Sequence, residues 1–240
     1  MNAAIGFAFV ALTAGLARGF SGFGAALIFM PLASAIAGPQ TAAAVLVLID
    51  LVFSVPLIVK AAQRVSLVPV VIMLAGAAVT VPVGAWLLMS ADPLALRWMI
   101  AGLAAAMLVL LMSGWRYAGE PRVPLTVCVG ALSGIFTGIS QLGGPPVVAY
   151  WLGGKNTAAD TRANIILFIA GSSLLSLFAY LISGMIAAQT LEWAVLTGPA
   201  YGAGLFAGAR LFGMASELTF RRICFALIAV AVVTSLPLWR

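Results

Sequence analysis

Apolar residues run along this chain in long blocks, at about 3–37, 41–59, 66–89, 94–114, 123–153, 161–184, 191–212 and 220–237. A bilayer span needs ~20 apolar residues, so these blocks predict about eight membrane segments with little sequence left between them. Short turn signals separate them: Gly38-Pro39, 60–64, Ala91-Asp92-Pro93, 116–124 and 153–160. The stretch 116–124 is the linker that divides the chain into two membrane repeats, residues 1–118 and 119–240, which together make one unit.

Two blocks are interrupted, and the interruptions match. Residues 15–31 read GLARGFSGFGAALIFMP and residues 134–146 read GIFTGISQLGGPP. Gly15, Gly19, Ser21 and Gly24 recur 119 residues later as Gly134, Gly138, Ser140 and Gly143. In a second register, of 124, Gly84, Ala85, Leu87, Leu94, Arg97 and Leu103 recur as Gly208, Ala209, Leu211, Leu218, Arg221 and Leu227. The change of register implies a net insertion of five residues in the second half. Paired broken helices of this kind point to a transporter binding site.

Positive charges then decide the topology, because cytoplasmic loops collect Lys and Arg. If all eight segments crossed fully, the basic residues would divide almost evenly between the two faces. If each broken segment is instead a re-entrant hairpin, Lys60, Arg64, Arg116, Arg122, Lys155, Arg162, Arg210, Arg221 and Arg222 share one face. Arg97 and Arg240 are left opposite, and Arg18 lies inside the first hairpin. Each half then holds one hairpin and three crossings, and the odd number inverts the second half. The expected fold is an all-α polytopic membrane protein of two inverted repeats, with both termini outside and the hairpin tips meeting around a central site.

Composition agrees and narrows the chemistry. With 64% hydrophobic and 8% charged residues, the chain does not read as a soluble domain. Its opening residues lack a basic leader and a cleavage site, so they read as mature protein. The net charge of +6 is spread over segment ends and is a topology signal, with no nucleic-acid partner implied. Histidine is absent, which removes His-based zinc sites, histidine-ligated haem and Ser-His-Asp or Cys-His catalysis. Cys128 and Cys224 form no ligand cluster and read as packing residues, so neither a metal nor a cofactor is expected.

The candidate chemistry lies at the breaks. Gly22-Phe23-Gly24 and Gly143-Gly144-Pro145-Pro146 interrupt the helix, and a helix restarting after each break aims its first N–H groups at the tip, a ready anion site. Ser21, Thr137, Ser140 and Gln141 add neutral donors. Gly15 and Gly19 read more simply as close-packing positions. Arg18 is the residue singled out first. An arginine at membrane depth costs at least ~2.5–3.5 kcal/mol and needs a partner. Two partners are open, an anionic substrate or Asp50. Asp50, the one acid deep in a span, is either that ion-pair partner or a coupling residue. Arg162 and Asn164 open the sixth segment and are weaker gating candidates beside a topogenic role. Tyr150, Trp151, Trp115 and Trp239 suit the interfacial belt, with Tyr150 and Trp151 close enough to the second break to line a cavity.

At these residues the chain resembles the TauE/SafE sulfite-exporter family, through GLARGFSGFGAALIFMP, its repeat GIFTGISQLGGPPVVAYWL, and DTRANIILF around Arg162 and Asn164. The first copy departs from a glycine-richer pattern, with Ala25 and Ala26 after Gly24. The resemblance spans essentially the whole chain and implies export of small sulfur-containing anions, sulfite or organosulfonates such as sulfoacetate. On this basis the expected substrate-binding set is Arg18, Ser21, Gly22, Gly24, Ser140, Gln141, Gly143 and Gly144. Coupling or gating falls to Asp50, Arg162 and Asn164. The expected partners are a small anion, the lipid bilayer and a coupling H+ or Na+, with a homodimer open. The expected site is the bacterial inner membrane. An anion channel, a permease for another anion and a non-transporting membrane subunit are the competing readings; an enzyme is not expected.

Overall fold

The computed structural model describes residues 3–119, 121–153, 157–211 and 217–237, with backbone alone at 3 and 217–222. Lys155, Trp239, Arg240 and the side chains of Arg221 and Arg222 therefore lie outside what is described. Among the described residues the chain is all helix: α1 (Ala3–Ser21), α2 (Ala25–Ala37), α3 (Pro39–Phe53), α4 (Val55–Ala62), α5 (Leu67–Ser90) and α6 (Pro93–Ser113). There follow α7 (Val123–Ser140), α8 (Gly144–Trp151), α9 (Ala158–Ile182), α10 (Ala188–Leu211) and α11 (Glu217–Ser235). Among the described residues, helices α1, α5, α6, α7 and α9 are each long and apolar enough to cross a membrane, and α3 with α4, bent by 57°, counts as a sixth candidate when taken as one span. The protein is thus a polytopic helical membrane protein.

Local chemistry sets the boundaries. Asp92 accepts the N–H groups of Leu94 and Ala95 at 3.0 Å and starts α6 before Pro93. Gly114 closes the same helix in the left-handed region, φ 67°. The α3–α4 bend was not expected within the uninterrupted block 41–59. Pro56 has no N–H and its ring crowds the carbonyl four residues earlier, so the helix yields at Ser54.

Helix directions follow from the closest contacts. Gly15 lies over Tyr201 and Leu205, and Gly19, one turn on, over Leu205 and Ala209, so α1 and α10 run parallel. Gly76 lies over Val127 and Ala131, and Gly84 over Ile135 and Ile139, so α5 and α7 do the same. In both pairs a Cβ on these glycines would enter the facing backbone, which makes them close-packing positions. The packing is reciprocal: α1 of the first half lies on α10 of the second, and α7 of the second lies on α5 of the first. Helix α9 also parallels α5, since the Ser66 N–H donates to Asn164 Oδ1 at 2.9 Å and Leu74 sits against Gly171.

Both broken segments fold back on themselves. Tyr150, near the end of α8, meets Thr126, near the start of α7, with their hydroxyls 2.6 Å apart. Phe29 of α2 packs against Phe7 of α1, ring centroids 5.4 Å apart. Each hairpin returns to the end of the bundle from which it entered. One end therefore gathers Lys60, Arg64, Arg116, Arg122, Arg162 and Arg210. At the other, Gln40 at the start of α3 reaches the Leu88 carbonyl near the end of α5, and Arg97 reaches the Ser235 carbonyl at the end of α11. Helix α1 begins and α11 ends at this second end.

The hairpins reach deep into the bundle. Their inward arms have 19 and 18 residues and their return arms 13 and 8. At ~1.5 Å per residue the inward arms pass the middle of the bundle, so the tips overlap side by side instead of meeting end to end. Along α9, the first tip contacts Arg162 and Ile166, Gly144 faces Ile169, and Gln141 reaches Ser173 and Tyr180.

The glycine contacts make a clear prediction. Gly15→Leu should destabilise the protein in detergent by about 1–3 kcal/mol through overpacking. Gly102→Leu, where nothing lies within 4 Å of an added Cβ, should leave the melting temperature nearly unchanged.

Candidate functional site

The first tip is built by two left-handed glycines, Gly22 at φ 80° and Gly24 at φ 97°, a conformation that costs other residues more. Ser21 braces the turn: its hydroxyl lies 2.7 Å from the Ala17 carbonyl, approaches the Phe23 carbonyl closely, and accepts the Phe23 N–H at 3.2 Å. Gly24 supplies no side-chain cap to α2. The N–H groups of Ala25, Ala26 and Leu27 in its first turn therefore lack intrahelical partners at the positive end of the helix dipole.

Arg18, in the last turn of α1, is 1% exposed, and Asp50 of α3 is 6% exposed. Arg18 Nε donates to Asp50 Oδ1 at 2.9 Å and Nη2 donates to Oδ2 at 3.1 Å, a bidentate pair. Nη1 donates to the Gly22 carbonyl, which locks the guanidinium to the tip. Asp50 Oδ1 also accepts from Ser54 at 2.8 Å and from Tyr201 at 2.6 Å. The partner that sequence reasoning left open is thus Asp50. The bend at Ser54 places one of the hydroxyls that complete the carboxylate's shell.

The second tip is held differently. Gln141 is the one non-glycine among the described residues with positive φ, at 58°. Its Nε2 donates to the Thr137 carbonyl at 3.0 Å and to the Tyr180 hydroxyl at 3.3 Å, and its Oε1 accepts from Ser173 at 3.3 Å. Gly143 is backbone-regular at φ −72°, but a Cβ there would strike Thr137 and Ser133. Helix α8 begins at Gly144, so Pro145 and Pro146 occupy its first turn and offer no N–H. The first tip therefore presents more free amide donors than the second.

Two cavities meet at the tips. An inner cavity of about 30 Å³ is lined by Arg18, Asp50, the first turn of α2, Leu46, Gln141, Leu142, Gly144, Pro145, Ile169 and Ser173, with Phe23 and Gly24. A vestibule of about 410 Å³ lies on the basic side, with Trp115, Arg116, Leu152 and Ala158 at its exposed rim. Its walls include Leu110, Val148, Arg162, Ile165, Cys224 and Ile228, and its floor reaches Phe20, Ser21 and Phe23. Arg162 Nη2 donates to the Gly19 carbonyl at 2.7 Å, binding α9 to the C-terminus of α1.

Of the expected residues, Arg18, Gly24, Gln141, Gly144 and Asp50 line the inner cavity, and Ser21, Gly24 and Arg162 line the vestibule. Gly22, Ser140, Gly143 and Asn164 line neither. The Ser140 hydroxyl donates to the Phe136 carbonyl at 3.2 Å, and Asn164 fixes the turn before α5. Tyr150 and Trp151 are buried and line neither of these cavities: Tyr150 stacks on Tyr117 and Trp151 packs edge-on to Phe168. Cys128 is exposed and Cys224 half-buried. Sequence reasoning missed Tyr201, Ser54, Ser173 and Tyr180, hydroxyl residues inside apolar segments.

The family model described as sulfite exporter TauE/SafE matches residues 7–235. No curated protein and no solved structure matches the chain.

A buried pair broken on one side leaves an uncompensated charge worth roughly 3–5 kcal/mol. Arg18→Leu and Asp50→Leu should each lower stability on that scale in detergent unfolding. The double variant should cost clearly less than their sum, and additivity would mean the two charges do not interact.

Proposed function

Because the chain belongs to the TauE/SafE sulfite-exporter family, we propose that it exports a small sulfur-containing anion, sulfite or an organosulfonate such as sulfoacetate, by alternating access. The two repeats, 1–118 and 119–240, are read as inverted copies in a bacterial inner membrane, with the basic end in the cytoplasm and both termini outside. The observation that carries this reading is the convergence of both hairpin tips on one narrow cavity that holds Arg18 and the uncapped start of α2.

In this reading the anion enters the vestibule past Arg116 and Arg162 and binds in the inner cavity. It meets the amides of Ala25, Ala26 and Leu27, the Arg18 guanidinium, Gln141 and the Gly144 backbone. Three of the five guanidinium N–H groups are engaged by Asp50 and Gly22, so an arriving anion competes with Asp50 for the cation. Asp50, released in part from Arg18, is then the residue suited to take a coupling H+ or Na+. A membrane potential negative inside favours anion efflux by ~2.3 kcal/mol per charge per 100 mV, so export needs little further driving force.

The test is ligand stabilisation followed by flux. Sulfite, sulfoacetate, taurine and sulfate are compared by thermal shift on the purified protein, and the best ligand is then followed in proteoliposomes. Saturable counterflow is expected; flux that does not saturate would mean a channel. Arg18→Ala/Asp50→Ala, which leaves no buried charge unpaired, should stay folded and lose the anion-induced shift.

A further inference from the structure

The two cavities share only Phe23, Gly24 and Leu27, and Phe23 is the bulkiest of the three. It stands at the apex of the first tip, half-buried, between glycines at φ 80° and 97°. The Ser21 hydroxyl holds both its N–H and its carbonyl. Across from it, Gly144 lies close: an added Cβ would sit 3.3 Å from the Phe23 Cβ, a tight contact. The ring stands on a glycine-flanked turn, facing a bare backbone at the join of a wide and a narrow cavity, and is held there by its packing and by the Ser21 brace on its backbone.

The internal repeat supplies a counterpart. The residue 119 positions after Phe23 is Leu142, at the apex of the second tip. Leu142 lines the inner cavity, is 1% exposed, and is absent from the vestibule. We infer that Phe23 is the gate between vestibule and inner cavity, and that Leu142 is the matching gate toward the opposite end. This rests on the inner cavity being the anion's site. Leu142 is buried in one apolar cluster and Phe23 packs against the other, so what marks the pair as gates is their place, one large apolar side chain at each apex beside the same cavity, and labelling rates separate that role from packing.

The test reads access and needs no substrate. In a Cys128→Ser/Cys224→Ala background, Ser173→Cys places a thiol in the inner cavity alone, and a membrane-impermeant alkylsulfonate methanethiosulfonate is added at the basic end. Phe23→Ala should raise the labelling rate at least tenfold, Phe23→Leu should raise it less, and Phe23→Trp should slow it. Leu142→Ala should leave the rate from the basic end unchanged and raise it from the other end. Equal rates in the parent and Phe23→Ala, or an equal rise from the basic end in Leu142→Ala, would overturn the gate. If Phe23→Ala does not fold, the order of rates Trp, Phe, Leu decides, and any other order rejects the proposal. Because labelling proceeds without transport, the gate and the anion reading fail separately.

Discussion

A guanidinium cannot remain unpaired at membrane depth, and the arrangement around Arg18 answers that constraint. Its neutralisation by Asp50 joins α1 to α3, and the Tyr201 hydroxyl on the same carboxylate brings in α10. Ser54, placed by the bend before α4, adds the last donor. The third hydrogen bond, to the Gly22 carbonyl, carries the pair into the first tip. Three helices and the break are therefore registered against one buried charge pair. Such a pair is weak support for stability as such, since desolvation offsets much of its attraction. Its value here is positional: it holds a cation beside a cavity while keeping the site neutral.

The second constraint is the close approach of backbones. Lipid tails are as apolar as leucine, so helices in a membrane gain little by hiding apolar surface from one another and rely on packing and hydrogen bonds. Glycines on both sides of the α1–α10 contact, and on both sides of the α5–α7 contact, permit that packing. Because each contact joins an inward hairpin arm to a long helix of the other half, the halves are interlocked. A movement that opened one face of the site would carry a parallel helix pair as a body, which is the behaviour expected of a rocking unit.

Much of this was legible in the chain because its signals are local. Glycine and proline punctuation marked both breaks, and the distribution of Lys and Arg chose the hairpin path, which the described helices follow. The bend at Ser54 was not legible: Pro31, Pro82 and Pro199 sit inside helices without ending them, so Pro56 carried no distinguishing mark. Tyr201 was hidden for another reason. Its hydroxyl matters only because α10 lies parallel to α1, a contact between residues 151 apart in sequence. Tyr150 and Trp151 looked interfacial by type, yet the return of α8 along α7 buries them. Types and spacings found the breaks where the tips come together, whereas the hydrogen-bond partners there depended on helix directions that no local pattern encodes.

Both tips join a long inward arm to a shorter return arm but differ in chemistry, and this difference bears on mechanism. Thr137 stands where the repeat would place a second Arg18, and its hydroxyl turns back to the Ser133 carbonyl at 2.8 Å. Pro145 and Pro146 remove two donors from α8, where α2 keeps its own. Charged and amide donors are therefore concentrated on the first tip, while the second offers the neutral, hydrogen-bonded Gln141. In the proposed reading, an anion bound between them is held chiefly by one hairpin. If the halves rock, the anion travels with the first tip and loses little binding energy as the second moves away. A site with a cation on each tip would instead hold the anion most strongly when both tips closed on it, and would resist reopening. Asymmetry of charge on a repeated scaffold thus favours release, which an exporter needs as much as capture.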